Sequence, residues 1–111
     1  MKGTDKQIEW AEQIIKGAIE VNNLKMNDAQ ARYDRIGDQH PGEIKFYEAR
    51  KAIHTTIDKA LQNIDDAKYV IDNRNNIRVA TLFANIAQLP GETKLSLAEM
   101  FPKVADLQNW I

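Results

Sequence analysis

Two arginines fall where a helical reading of the sequence puts apolar residues, and they are the best place to look for chemistry. In "FYEARKAIHT", Tyr47, Arg50 and His54 are spaced three and four apart. A helix places such residues side by side on one edge. Arg50 lies in angle between Ile53 and Leu61, inside the apolar arc. In "AKYVIDNRNN", Arg74 lines up with Ala67, Val70 and Ile71, and Asn75-Asn76 then breaks the pattern. A guanidinium carries a planar fork of donors suited to carboxylate or phosphate. One expectation is therefore a small-anion site at Arg50, His54 and Arg74. The structural alternative is the default for each arginine. The long side chain can cover apolar surface and reach water with its charge, and Arg74 near a helix C-terminus complements the exposed carbonyls there.

Other constellations are weaker. Asp38, His40 and Glu43 in "GDQHPGE" offer oxygen and nitrogen ligands, but that composition is ordinary for a turn. Asp65-Asp66 is best read as a helix start. There is no cysteine, hence no thiol nucleophile and no thiolate metal site. Glycine-rich phosphate loops, nucleophile elbows and zinc spacings are also missing from the sequence. The expectation is a protein that is not an enzyme and holds no metal or cofactor.

The elements that must position these residues read as helices. Thr4 is an N-cap, with Gln7 completing a capping box. Beyond it, Ile8, Ala11, Ile15, Ala18 and Ile19 form one apolar stripe, and Trp10, Ile14, Val21 and Leu24 a second. A helix this widely apolar is expected to be covered on two sides. Asn22-Asn23 is expected to end or bend it, with Asn27 or Asp28 capping a shorter helix that Gly37 closes. The next helix should run from about 42 to 63, with Pro41 in its first turn and Phe46, Ala49, Ile53, Ile57, Ala60, Leu61 and Ile64 on one face. Asn63 or Asp65 should cap the short helix holding "AKYVIDNR", and Asn75-Asn76 should start another; one continuous helix over 65–88 is the alternative. In "IRVATLFANIAQ" (77–88) the polar groups Arg78, Thr81, Asn85 and Gln88 share one side only, and the helix Ile77–Ala87 is expected to be the most buried. Ser96 with Glu99 suggests a second capping box, and Pro102 allows a last turn through Val104, Leu107 and Trp110. Trp10 and Trp110 are core candidates, whereas Tyr69, opposite the Ala67 stripe, is the candidate for an interface. No stretch alternates with period two, so no sheet is expected.

The chain has 111 residues, 43% hydrophobic and 28% charged, with a formal net charge of −1. That size and balance indicate one domain over 1–111 with its own core. Bases and acids number nine each in residues 1–55 and six against seven in the rest. Neither half is a basic arm, so nonspecific nucleic-acid binding, which runs on phosphate neutralisation, draws no support from bulk charge. The N-terminus has no apolar signal region, and no run is long enough to span a membrane. A cytoplasmic location follows as an expectation.

Two patches, "GTDKQIEWAEQI" (Gly3 to Ile14) and Ala67-Lys68-Tyr69-Val70-Ile71-Asp72-Asn73-Arg74, together resemble small uncharacterised bacterial and phage proteins. Their pattern joins Gly, Ser or Thr, an acid, Lys-Gln and Trp-Ala to a later Ala-Lys-aromatic-aromatic-Ile-Asp-Asn-Arg. Val70 departs from the aromatic form, and the two patches span about a quarter of the chain. The resemblance implies a phage or mobile-element setting and transfers no site residues. The expectation is a compact all-α bundle of five or six helices that binds another protein, host or phage, with an anti-CRISPR-like inhibitor as its specific form. The candidate binding residues are Tyr47, Arg50, His54, Tyr69 and Arg74. The runner-up is a nucleic-acid accessory protein using Arg32, Arg35, Arg74 and Arg78. The sequence does not set the oligomeric state.

Overall fold

The computed structural model describes all 111 residues and is all-α. Six helices follow in order: α1 (Asp5–Ile36), α2 (Pro41–Gln62), α3 (Ala67–Asp72), α4 (Ile77–Ala84), α5 (Gly91–Met100) and α6 (Val104–Trp110). Short 3₁₀ turns at Gly37–Gln39 and Ile86–Gln88 complete them. The molecule measures 52 × 25 × 21 Å. Its long axis is set by α1, whose 32 residues span about 48 Å at about 1.5 Å per residue.

Thr4 caps α1 with the reciprocal box its sequence suggests: its hydroxyl accepts from the Gln7 N–H, and the Gln7 side chain accepts from the Thr4 N–H. The expected break at Asn22-Asn23 does not occur. Asn22 is buried and both ends of its amide are bonded to His54 of α2, so it has no call to compete for the helix's own backbone. Neither Asn27 nor Asp28 starts a new helix.

α2 is the centre of the packing, lying against α1, α4 and α5. Ala49, Ile53, Ile57 and Leu61 are buried along one face, and the main core gathers Ile53, Ile57 and Leu61 with Ile77, Leu82, Leu97 and Ile111. Residue for residue α4 is the most buried helix, as its apolar faces suggest: only Ala84 of its eight residues is exposed, whereas α2 keeps a long solvent-facing side. α4 stops at Ala84, and Thr81 turns inward from the expected polar face.

A smaller cluster of Ala11, Ala67 and Val70 joins α1 to α3. The first residues tie it down: Lys2 pairs in parallel with Asp66, and the Ala67 N–H donates to the Lys2 carbonyl at 2.9 Å. Gly3 makes this approach possible. Its φ is +139°, and a Cβ there would lie 2.9 Å from that of Ala67. Asp66 caps α3 through its carboxylate, in place of the expected Asn63 or Asp65. The chain breaks at residues 73–76, so the single helix over 65–88 is not formed. α5 begins at Gly91, directly after Pro90, which leaves Ser96 inside the helix with no capping role.

Candidate functional site

Of the strip Tyr47–Arg50–His54, the structure joins the last two and adds a residue the sequence reading did not select. Asn22 and His54 are each 1% exposed. Asn22 Nδ2 donates to the His54 carbonyl at 2.7 Å, so its Oδ1 is the end that meets His54 Nδ1, at 2.8 Å. That oxygen can only accept, which puts the imidazole proton on Nδ1. His54 Nε2 is then a lone pair, and Arg50 Nη1 donates to it at 3.0 Å. Burial first, then the charges of Arg50, Arg78 and Lys25, push the His54 pKa down to about 3. The ring is therefore neutral near pH 7, enclosed, and bonded at both nitrogens. It has no vacant position from which to move a proton.

Arg50 is half-buried, with its guanidinium carbon 3.8 Å from the centroid of the Trp110 ring and 5.7 Å from that of Phe46. Burial and the nearby Arg78 lower its pKa to about 10, against the pull of Asp28. Tyr47 leaves this group. It stacks on Tyr33 with centroids 4.7 Å apart and donates to the Gln30 side chain on α1. Trp110 closes the core edge against Phe101 and Phe46.

Arg74 lies elsewhere. α3 ends before it, and its side chain is exposed, donating to the Ile71 carbonyl at 2.8 Å. It lies 5.4 Å from the Trp10 ring centroid. An anion site combining Arg50, His54 and Arg74 is therefore not assembled. Arg74 instead borders a groove of about 510 Å³ between α1 and the α3–α4 turn, with Ile14, Gly17, Val21, Ile77 and Arg78 among its walls. Trp10 is not core: it is 46% exposed, with Val21 at 42% and Leu24 at 63%. α3 covers the Ala11 side of α1, and of the second stripe only Ile14 packs against the core clusters, leaving Trp10, Val21 and Leu24 open. Tyr69, the expected interface residue, is half-buried against both clusters.

The four arginines of the nucleic-acid reading do not form one face: Arg74 and Arg78 line the same groove, while Arg32 and Arg35 lie near the other end of α1. Arg32 makes a bidentate pair with Glu43 at 2.8 and 2.9 Å. Hydrogen bonding in that pair holds the Glu43 carboxyl below its ordinary value and Arg32 above its own. Glu43 is thereby taken from the Asp38–His40 loop, and no three acidic or histidine side chains converge as a metal site. Arg78 is half-buried and donates to the Ile111 carbonyl oxygen at 2.7 Å. Trp10, beside Arg74, and Arg32 lie about 33 Å apart along α1 at about 1.5 Å per residue. No helix is long and apolar enough to cross a membrane.

Comparison with known proteins finds no matching family model, no matching curated protein and no matching solved structure. The functional reading therefore rests on the geometry and on the sequence patterns.

Proposed function

We propose that this protein is a non-enzymatic binding module that acts in the cytoplasm by docking another protein on the outer face of α1. The observation that carries this is the uncovered stripe of Trp10, Val21 and Leu24. With Ile14 and Gly17 these residues recur at alternating steps of four and three, the spacing of a helix that receives a second helix along its length. A Cβ at Gly17 would meet nothing within 4 Å, so a partner backbone has room to approach at the middle of the stripe. Arg74 and Arg78 edge one side of the same groove, which favours an amphipathic partner helix with acidic residues on that flank. The likeness of the N-terminal and Ala67–Arg74 patterns to phage proteins supports a role as an inhibitor of a host defence protein, in the manner of an anti-CRISPR.

Affinity capture from host lysate, with and without nuclease, tests this reading. The expected result is a stoichiometric protein partner that survives nuclease, is lost with Leu24→Glu and is kept with the distant Lys103→Ala. Capture unaffected by Leu24→Glu would move the docking surface off α1. Recovery of nucleic acid, with partners lost on nuclease treatment, would replace the reading altogether.

A further inference from the structure

A cavity of about 200 Å³ lies between the C-terminal half of α1 and the start of α2, walled by Lys25, Asp28, Ala29, Arg32, Phe46 and Arg50. Its charges are unevenly satisfied. The chain's one ion pair is Arg32–Glu43, so neither Arg50 nor Lys25 has a carboxylate partner. Arg50 gives one N–H to His54 Nε2, and a guanidinium has five. Its faces rest against the Trp110 and Phe46 rings, which can hold the cation but cannot accept its in-plane donors. Burial, together with the nearby Arg78, outweighs the pull of Asp28, and the Arg50 pKa falls to about 10. Lys25 is half-buried on the same wall and makes no hydrogen bond to the protein.

The geometry points to a carboxylate-binding pocket, in which Arg50 and Lys25 together hold one small monoanionic carboxylate beside the Phe46 ring. Three features select that class. With Arg32 neutralised by Glu43, the two free cations face one acid, Asp28, leaving one positive charge to be matched. That balance favours a monoanion over a phosphate dianion, which Asp28 would repel. The volume admits about six water-sized groups at roughly 30 Å³ each, enough for a carboxylate on a short chain. The planar fork of Arg50 is held in place by His54, whose acceptor lone pair is in turn fixed by Asn22. A preset donor array loses little freedom on binding. This pocket is separate from the α1 docking stripe and stands whether or not that stripe binds a partner.

The test is a nuclear magnetic resonance titration of the full chain with sodium acetate, inorganic phosphate and sodium chloride at equal ionic strength. The two tryptophans serve as reporters, because Trp110 lies against Arg50 while Trp10 lies against Arg74. Acetate is expected to shift the Trp110 indole and the Arg50 Nε–H saturably and leave Trp10 in place. Lys25→Gln and Arg50→Met should each weaken acetate binding at least tenfold. Asp28→Asn should tighten it and narrow the preference for acetate over phosphate. Shifts that never saturate, that chloride reproduces, or that persist with unchanged affinity in Lys25→Gln would overturn the assignment. Lys25→Gln keeps the test decisive if Arg50→Met disturbs packing against Trp110.

Discussion

Acidification should destabilise this protein well before ordinary carboxylates begin to protonate, and the cause should be His54. In the unfolded chain the imidazole titrates near its ordinary 6.5; in the fold its pKa is pushed to about 3. A depressed folded pKa contributes stability that is fully present above the unfolded value and is lost as pH falls toward the folded one. Between those values the unfolded chain binds a proton that the folded chain does not, so stability falls with pH. From about pH 7.5 to pH 5 the loss works out at about 2 kcal/mol, because one pKa unit corresponds to about 1.4 kcal/mol. That is a large part of the stability of a typical domain. Arg50, Arg78 and Lys25 are the charges that oppose a proton on His54. The assay is urea unfolding at both pH values for the native protein and His54→Gln. The variant will be less stable throughout, since Asn22 and Arg50 lose a partner, but it should lack the pH-dependent loss. Glu43, whose folded value is also depressed, contributes the same trend to both proteins and cancels in the comparison. Equal pH slopes for the two proteins would show that His54 is not held neutral by the fold, and the Asn22–His54–Arg50 hydrogen bonding as described would be wrong.

The remaining predictions concern single substitutions. Asn22→Leu removes both bonds to His54 and strands either Nδ1–H or, in the other tautomer, Nε2–H against Arg50; urea unfolding should show a loss of about 2–4 kcal/mol. Arg74→Ala should cost less than about 1 kcal/mol, because the side chain is exposed and caps one carbonyl; capture of a partner should fall sharply if the groove edge takes part. Gly3→Ala should cost about 1–3 kcal/mol in thermal or urea unfolding, since it combines a positive φ with a Cβ clash against Ala67.

Much of the fold is legible along the chain because its signals are local. The Thr4–Gln7 box, Pro41 in the first turn of α2, and the stripe from Ala49 to Leu61 each depend on residues within a turn or two of one another. The errors share a cause. Asn22-Asn23 resembles a break because asparagine competes for backbone bonds; here its competitor is His54, thirty-two positions away. Ser96 with Glu99 has the spacing of a capping box, yet Pro90-Gly91 starts the helix a turn earlier. Tyr69 and Trp10 exchange their expected roles because helical spacing ranks the faces of one helix but does not say which face a neighbour covers.

The same division holds for the candidate sites. From sequence alone come an all-α chain, the absence of any catalytic motif, a second apolar stripe on α1, and the adjacency of Arg50 and His54, since intervals of three and four suffice for all of them. Tertiary structure decides that α3 packs over Ala11 and leaves Trp10, Val21 and Leu24 open. It decides that Asn22 sets the tautomer of His54, and that Arg32 is paired with Glu43 while Arg50 is not. Each of these is a contact between residues far apart in sequence. Whether a charge is matched or a stripe is covered depends on which distant side chain arrives beside it, and periodicity carries no record of that.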